Sequence, residues 1–163
     1  MRGYFLDTCV FSKWYEKDER VLARVEALPN VPLWISVTAL GEIEFGYRCL
    51  LPSQHDPAKE NAFKQFIREN LFIRETTRHT VPHYGRLRAL LFDKFAPRRK
   101  RWKNVRPEQL VDPVTSLELG IEENDLWMVA QAMELNFIFA TTDKMHHICE
   151  VAQGLVTIEN WLE

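Results

Sequence analysis

Two apolar runs that each stop abruptly at threonine and aspartate constrain this chain more than any other feature. They are Gly3-Tyr4-Phe5-Leu6-Asp7-Thr8 and Phe137-Ile138-Phe139-Ala140-Thr141-Thr142-Asp143. Each reads as a short buried strand that delivers a carboxylate to its C-terminal end. In open α/β sheets that edge is where ligands bind. Taken alone, Asp7 is either a functional acid or the N-cap of the helix that follows. Leu33-Trp34-Ile35-Ser36, Leu71-Phe72-Ile73 and Val156-Thr157-Ile158 supply further strand-like runs. Strands alternating with helical patterns predict an α/β fold, a central parallel sheet with helices on both faces in three layers. A length of 163 residues fits one domain spanning 1–163, enough to bury a core.

The helical patterns lie between these runs. A helix is expected over 10–28, with Val21, Leu22, Val25 and Leu28 on one face and Lys17-Asp18-Glu19-Arg20 as a solvated turn within it. Ser36 or Thr38 can cap the next helix, which runs to Tyr47 and holds Glu42 and Glu44. Residues two apart on a helix point about 200° away from each other, so only one of the two faces a given site. Glu44 has Arg48 four residues on, a surface ion-pair spacing. Glu42 lies in line with Thr38 and Gly46, which makes it the better functional candidate, although two solvated glutamates is the plain alternative. Further helices are expected over 58–70 and 81–95. The last is expected from Asp125 with Asn124 as its cap, which places Asp125 where the helix dipole stabilises a carboxylate.

If the two aspartate-tipped strands are neighbours, Asp7 and Asp143 come together, and Glu42 and Asp125 can join them. Converging carboxylates raise one another's pKa and need a compensating cation. Oxygen ligands without His or Cys beside them favour Mg2+ or Mn2+ over zinc. Such a cation, sharing its ligands with a substrate phosphate, suits phosphodiester hydrolysis. His55, His79 and His83 fall in or near expected loops, and no histidine has a partner at metal-ligand spacing. One dense basic block, Arg98-Arg99-Lys100-Arg101-Trp102-Lys103-Asn104-Val105-Arg106, lies between Pro97 and Pro107. It suits a phosphate backbone with one base stacked on the indole, or simply a solvated loop.

Composition excludes more than it identifies. A formal net charge of −2 leaves any basic surface local. No apolar run approaches the length of a membrane span, and the N-terminus has no signal-peptide pattern. Cys9, Cys49 and Cys149 are odd in number and far apart, as expected of reduced thiols in a cytoplasmic protein.

In order along the chain, Leu6-Asp7-Thr8, Ile35-Ser36-Val37-Thr38 through Glu42 to Gly46, Asn124-Asp125 with Val129-Ala130 and Ala132, Thr142-Asp143-Lys144 and Glu159-Asn160-Trp161 resemble the PIN-domain proteins, specifically VapC-like toxins of prokaryotic toxin–antitoxin pairs. The resemblance implies a metal-dependent ribonuclease with Asp7, Glu42, Asp125 and Asp143 as an acidic quartet holding Mg2+ or Mn2+. It also implies RNA as substrate, a cognate antitoxin as partner and a homodimer. Thr8, Thr38, Arg98, Arg99, Lys100, Arg101 and Trp102 are then the candidate substrate contacts. The sequence departs from the family at Met145, where an Asp or His is common, and in a long segment between Phe95 and Glu118. Two other classes compete. A haloacid-dehalogenase-like phosphatase needs a second aspartate where this chain has Cys9. An inactive PIN-like interaction module is opposed by the intact quartet.

Overall fold

The computed structural model describes residues 2–96 and 105–163. Five strands form one parallel sheet in the order β3-β2-β1-β4-β5. They are β1 (Tyr4–Leu6), β2 (Leu33–Ser36), β3 (Phe72–Arg74), β4 (Ile138–Thr141) and β5 (Thr157–Asn160). The registers Leu6↔Ile35 and Leu6↔Ala140 put β1 between β2 and β4. Phe5, Leu6, Ile35, Phe139 and Ala140 are fully buried, as central parallel strands covered on both faces must be.

The helices are α1 (Thr8–Tyr15), α2 (Glu19–Glu26), α3 (Val37–Arg48), α4 (Pro57–Asn70), α5 (Val81–Phe95), α6 (Glu123–Leu135) and α7 (His146–Ala152). α1 packs on α2 and α3, whereas α5 packs on α6 and α7. Right-handed crossovers place the helices leading out to β3 and those leading back to β4 and β5 on opposite faces. The chain thus runs outward from β1 to β3 and then returns past β1 to β4. Its direction reverses between β1 and β4, and a crevice opens at their C-terminal ends.

Three departures from the sequence expectation have local causes. The expected helix over 10–28 is two helices, because Lys17 takes a left-handed conformation (φ 64°) and Asp18 caps α2 by accepting from the Arg20 and Val21 amides. Asn124 does not cap α6. That helix begins at Glu123, whose N–H donates to the Glu108 carboxylate at 3.0 Å, a cap supplied from 15 residues away. The helix α7 was not expected at all. The chain enters it through Met145 in a left-handed conformation (φ 40°, ψ 34°), which a long apolar side chain adopts only when its surroundings dictate it.

Gly3 reflects a close approach. A Cβ there would sit 3.0 Å from the Phe137 ring, which covers the start of β1. The long segment after residue 105 is pinned to the core by buried Leu110, Leu119 and Ile121, with Val111 and Glu118 forming an antiparallel bridge. That segment forms part of the rim of the crevice.

Candidate active site

Asp7 follows the last residue of β1, and its amide donates to the Ala140 carbonyl at 2.9 Å, which fixes the end of β1 against β4. Its carboxylate is held by three donors. Oδ1 accepts from the Thr8 amide at 2.7 Å, and Oδ2 accepts from the Thr141 hydroxyl at 2.7 Å and the Cys9 thiol at 3.1 Å. The two readings left open for Asp7 are therefore one geometry. It stands at the N-cap of α1 and still points into the crevice, because three donors leave about one lone-pair direction of the carboxylate free. Asp7 is 5% exposed. Burial, partly opposed by the bonds from Thr141, Cys9 and Thr8 and reinforced by the Asp143 charge, raises its pKa.

Asp143 lies two residues beyond β4, with its amide donating to the Thr141 hydroxyl at 3.0 Å. Thr141 thus touches both aspartates, donating to one and accepting from the backbone of the other. Among the described residues Asp7, Cys9 and Asp143 bring their ligand atoms within 4.8 Å of one another.

On α3, Glu42 accepts hydrogen bonds from the Thr8 hydroxyl and from the Asn124 amide at 2.9 Å. The Asn124 side chain, freed from capping α6, thus ties α6 to α3. Glu44 faces the other way and pairs with Arg48 and Lys64. The helix-face argument that separated the two glutamates matches this geometry.

Asp125, in the first turn of α6, is the most perturbed acid. Burial first, then the charges of Asp7, Glu122, Glu42 and Asp143, push its pKa up to about 8. Perturbation of this size in a cleft marks functional sites. All four acids line one cavity of about 520 Å³, together with Thr8, Cys9, Ser12, Glu122, His146 and others. No lysine or arginine among the described residues lines it.

Thr8 lines this cavity, but Thr38 does not; Thr38 sits half-buried in the first turn of α3, with its amide on Ser36 Oγ. Arg98, Arg99, Lys100, Arg101 and Trp102 lie outside the described residues. Sequence reasoning missed Asn124 as the partner of Glu42, and it missed Glu122 and His147, which line the cavity as His146 does. It also held that no Cys stands beside the acids, and Cys9 corrects that. The Cys9 thiol is bonded to Asp7, and burial with the Asp7 charge raises its pKa to about 12, so it stays protonated and serves as a donor. A thiol in that state is not a soft metal ligand, and among the described residues no histidine joins the ligand cluster of Asp7, Cys9 and Asp143, so the acids there offer carboxylate oxygens.

Solved structures of similar fold include a member of the VapBC family of toxin–antitoxin systems from Mycobacterium tuberculosis and a toxin–antitoxin complex from Klebsiella pneumoniae. VapBC-1 from nontypeable Haemophilus influenzae superposes with a TM-score of 0.70 at 19% identity, covering 98% of both chains. VapBC2 from Rickettsia felis, solved with promoter DNA, gives 0.68 at 20% identity over 97% of this chain and 98% of that one. FitAcB from Neisseria gonorrhoeae gives 0.64 at 18% identity over 98% and 99%. No curated protein sequence matches the chain. The family model of the PIN domain, in contrast, matches residues 4–153. With that match over nearly its whole length, and with the acids gathered at the switch point of a parallel sheet, the chain belongs to the PIN-domain family.

Proposed function

We propose that the protein is a metal-dependent endoribonuclease and the toxin of a toxin–antitoxin pair, acting in the cytoplasm. The observation that carries this reading is the convergence of acidic charge in the crevice. Acids from four separate elements line one cavity in which no lysine or arginine among the described residues stands, and burial first, then the neighbouring acidic charges, push the Asp125 carboxyl up to about 8. A cluster of this kind is completed by a divalent cation.

Asp7, Asp125, Asp143 and Glu42 are the residues that would hold Mg2+ or Mn2+, and their oxygen donors fit such hard ions. The bound ion supplies Lewis acidity toward the substrate phosphate. The chain's own groups do the rest. Thr141, Cys9 and the Thr8 amide lock the Asp7 carboxylate, while Asn124 and the Thr8 hydroxyl hold Glu42 in place. Buried Leu119 and Ile121 give the cavity an apolar wall that limits water. Arg98, Arg99, Lys100, Arg101 and Trp102 bind the RNA backbone and stack one base, and Thr8 and Thr38 are further substrate contacts. A cognate antitoxin protein blocks the site, and the protein functions as a homodimer. No helix among the described residues is long and apolar enough to cross a membrane.

The test has two parts. Purified protein should cleave single-stranded RNA to 5′-phosphate ends in Mg2+ or Mn2+ and should lose that activity in excess EDTA. Expression should be toxic alone and harmless alongside the neighbouring reading frame. Full activity in EDTA would sink the reading, as would unimpaired cleavage by Asp7→Asn.

A further inference from the structure

The crevice gathers carboxylates but needs a proton at one point. Hydrolysis that leaves a 5′-phosphate expels a ribose 3′-oxygen, and an alkoxide is a poor leaving group unless it is protonated as it departs. The cavity holds few groups able to give that proton near neutral pH. With a divalent ion bound, its carboxylates, Asp125 included, would be held deprotonated as ligands, and the Cys9 thiol, with a pKa of about 12, retains its proton for Asp7. Imidazole is the side chain suited to the task, and the cavity lining includes His146 and His147. They are not equivalent. The His147 ring is set edge-on against Phe95, with centroids 5.1 Å apart. His146 is exposed to the cavity and makes no hydrogen bond or ion pair among the described residues. The left-handed turn at Met145, two residues beyond Asp143, starts α7 at this point and brings His146 to the cavity beside the acids.

We propose, resting on the ribonuclease reading above, that His146 is the general acid of the reaction, protonating the leaving 3′-oxygen. The water oxygen bonds to phosphorus and the bond from phosphorus to the 3′-oxygen breaks. The electron pair leaves with that oxygen, which takes the proton of the imidazolium. The attacking water loses one proton to solvent, and solvent returns one to His146, so charge and atoms balance with no change of oxidation state. The charged groups sharing the cavity are Asp7, Glu42, Glu122, Asp125 and Asp143, with His147 on the same helix.

The experiment compares two versions of one oligoribonucleotide that the wild type cuts at a single bond. One carries the natural linkage and the other a 3′-bridging sulfur, a leaving group that needs no proton. Single-turnover rates are measured in Mn2+, which accepts sulfur and oxygen alike. His146→Ala and His146→Gln should each lose about 10²-fold or more on the natural linkage, and less than about tenfold on the sulfur linkage. Circular dichroism and metal-induced stabilisation should match the wild type in both variants. Equal losses on both linkages would show that His146 merely positions the phosphate and would overturn the proposal. Wild-type rates on the natural linkage in either variant overturn it too. A wild type that cuts neither RNA overturns the ribonuclease reading itself, so the two failures are told apart.

Discussion

Helix α6 carries a half-buried acid at each end, and the two behave in opposite ways. Asp125 lies in its first turn, where the helix dipole favours a negative charge, and Glu134 in its last, where the dipole opposes one. The dipole alone would lower the pKa of Asp125 and raise that of Glu134. The reverse holds. Burial and four neighbouring carboxylates push Asp125 up to about 8. Glu134 is also desolvated, yet the hydroxyls of Thr80 and Thr77 and the Arg74 guanidinium, at 2.7 Å, hold it below its ordinary value. The dipole contributes about 0.3–1 kcal/mol at a helix end, so the neighbours decide both cases. Glu134 ties the end of β3 and the start of α5 to α6, a complete network that stabilises the fold. Asp125 has no hydrogen-bond partner among the described residues, and its cluster is left open for a ligand.

The largest effect that separates the two ends is on activity. Asp125→Asn should lower the cleavage rate by at least about 10²–10³-fold, the cost of removing one electrostatic stabiliser, with the fold retained by circular dichroism. Glu134→Ala, assayed at a temperature where it is folded, should cleave within about threefold of the parent, because it touches nothing in the cavity. Comparable losses in both variants would mean that the whole helix, rather than its N-terminal acid, is what catalysis requires.

Stability should separate them with opposite signs. Removing Glu134 strands the Arg74 charge, which retains some solvent exposure, so the cost should be about 2–3 kcal/mol, below the 3–5 of a fully buried pair. At 2–4 °C per kcal/mol for a chain of this size, Tm should fall by roughly 4–12 °C. Asp125→Asn should instead raise Tm in EDTA at pH 8, because it removes a strained charge. The pH dependence follows from the direction of each shift. A raised folded pKa favours the native state below the unfolded carboxylate value near 3.9, and that contribution is lost as pH climbs toward about 8. The Tm gain of Asp125→Asn should therefore open between about pH 4 and pH 8. A lowered folded pKa contributes stability above the unfolded value and loses it in acid, so the Glu134 penalty should shrink below about pH 4.

Metal should sharpen the contrast by a smaller amount. At a hundred times its dissociation constant, Mg2+ or Mn2+ should stabilise the parent by about 2.7 kcal/mol, and Glu134→Ala by the same increment from a lower starting Tm. Asp125→Asn should gain clearly less. An equal gain in all three, measured by calorimetry, would place the ion somewhere other than this crevice.

The legibility of the sequence follows the same division between local and distant causes. Strands were readable because two buried faces force continuous apolar runs, and the 81–95 helix was read to the residue from Leu87, Leu90 and Leu91, of which Leu87 and Leu91 are buried and Leu90 is exposed. The acids of β1 and β4 could be placed together because parallel strands put their C-terminal ends on one edge. What escaped depended on contacts between residues far apart in the chain. Nothing near Asn124 reveals that Glu108 caps its helix from a loop, and so frees Asn124 for Glu42. Nothing in Ala152 or Ile148 separates the short helix α7 from a loop, since seven residues are too few for periodicity to speak. The left-handed turn at Lys17 interrupts an apolar pattern that otherwise runs through both α1 and α2. Cys9 was read as a reduced thiol and as the place of a missing second aspartate, but not as a donor to Asp7 two residues before it.

The smallest effects belong to the groups that hold the acids, and they test whether α6 and α3 are joined as described. Asn124 stands next to Asp125 on α6 but spends its amide on Glu42, 82 residues away in sequence. Removing a residue that orients a metal-binding group lowers affinity or activity about 10–100-fold, so Asn124→Ala should fall in that range, less than Asp125→Asn or Glu42→Gln. The loss should show chiefly as a weaker dependence on metal concentration, because Glu42 is still present but less well placed. Glu44→Gln, two residues beyond Glu42 on the same helix but turned toward Arg48 and Lys64, should cleave as the parent does. Titrating metal against cleavage rate in these variants is sufficient. If Glu44→Gln loses more than Asn124→Ala, α3 presents its other face to the crevice, and the bond between the two helices is not what positions the fourth acid.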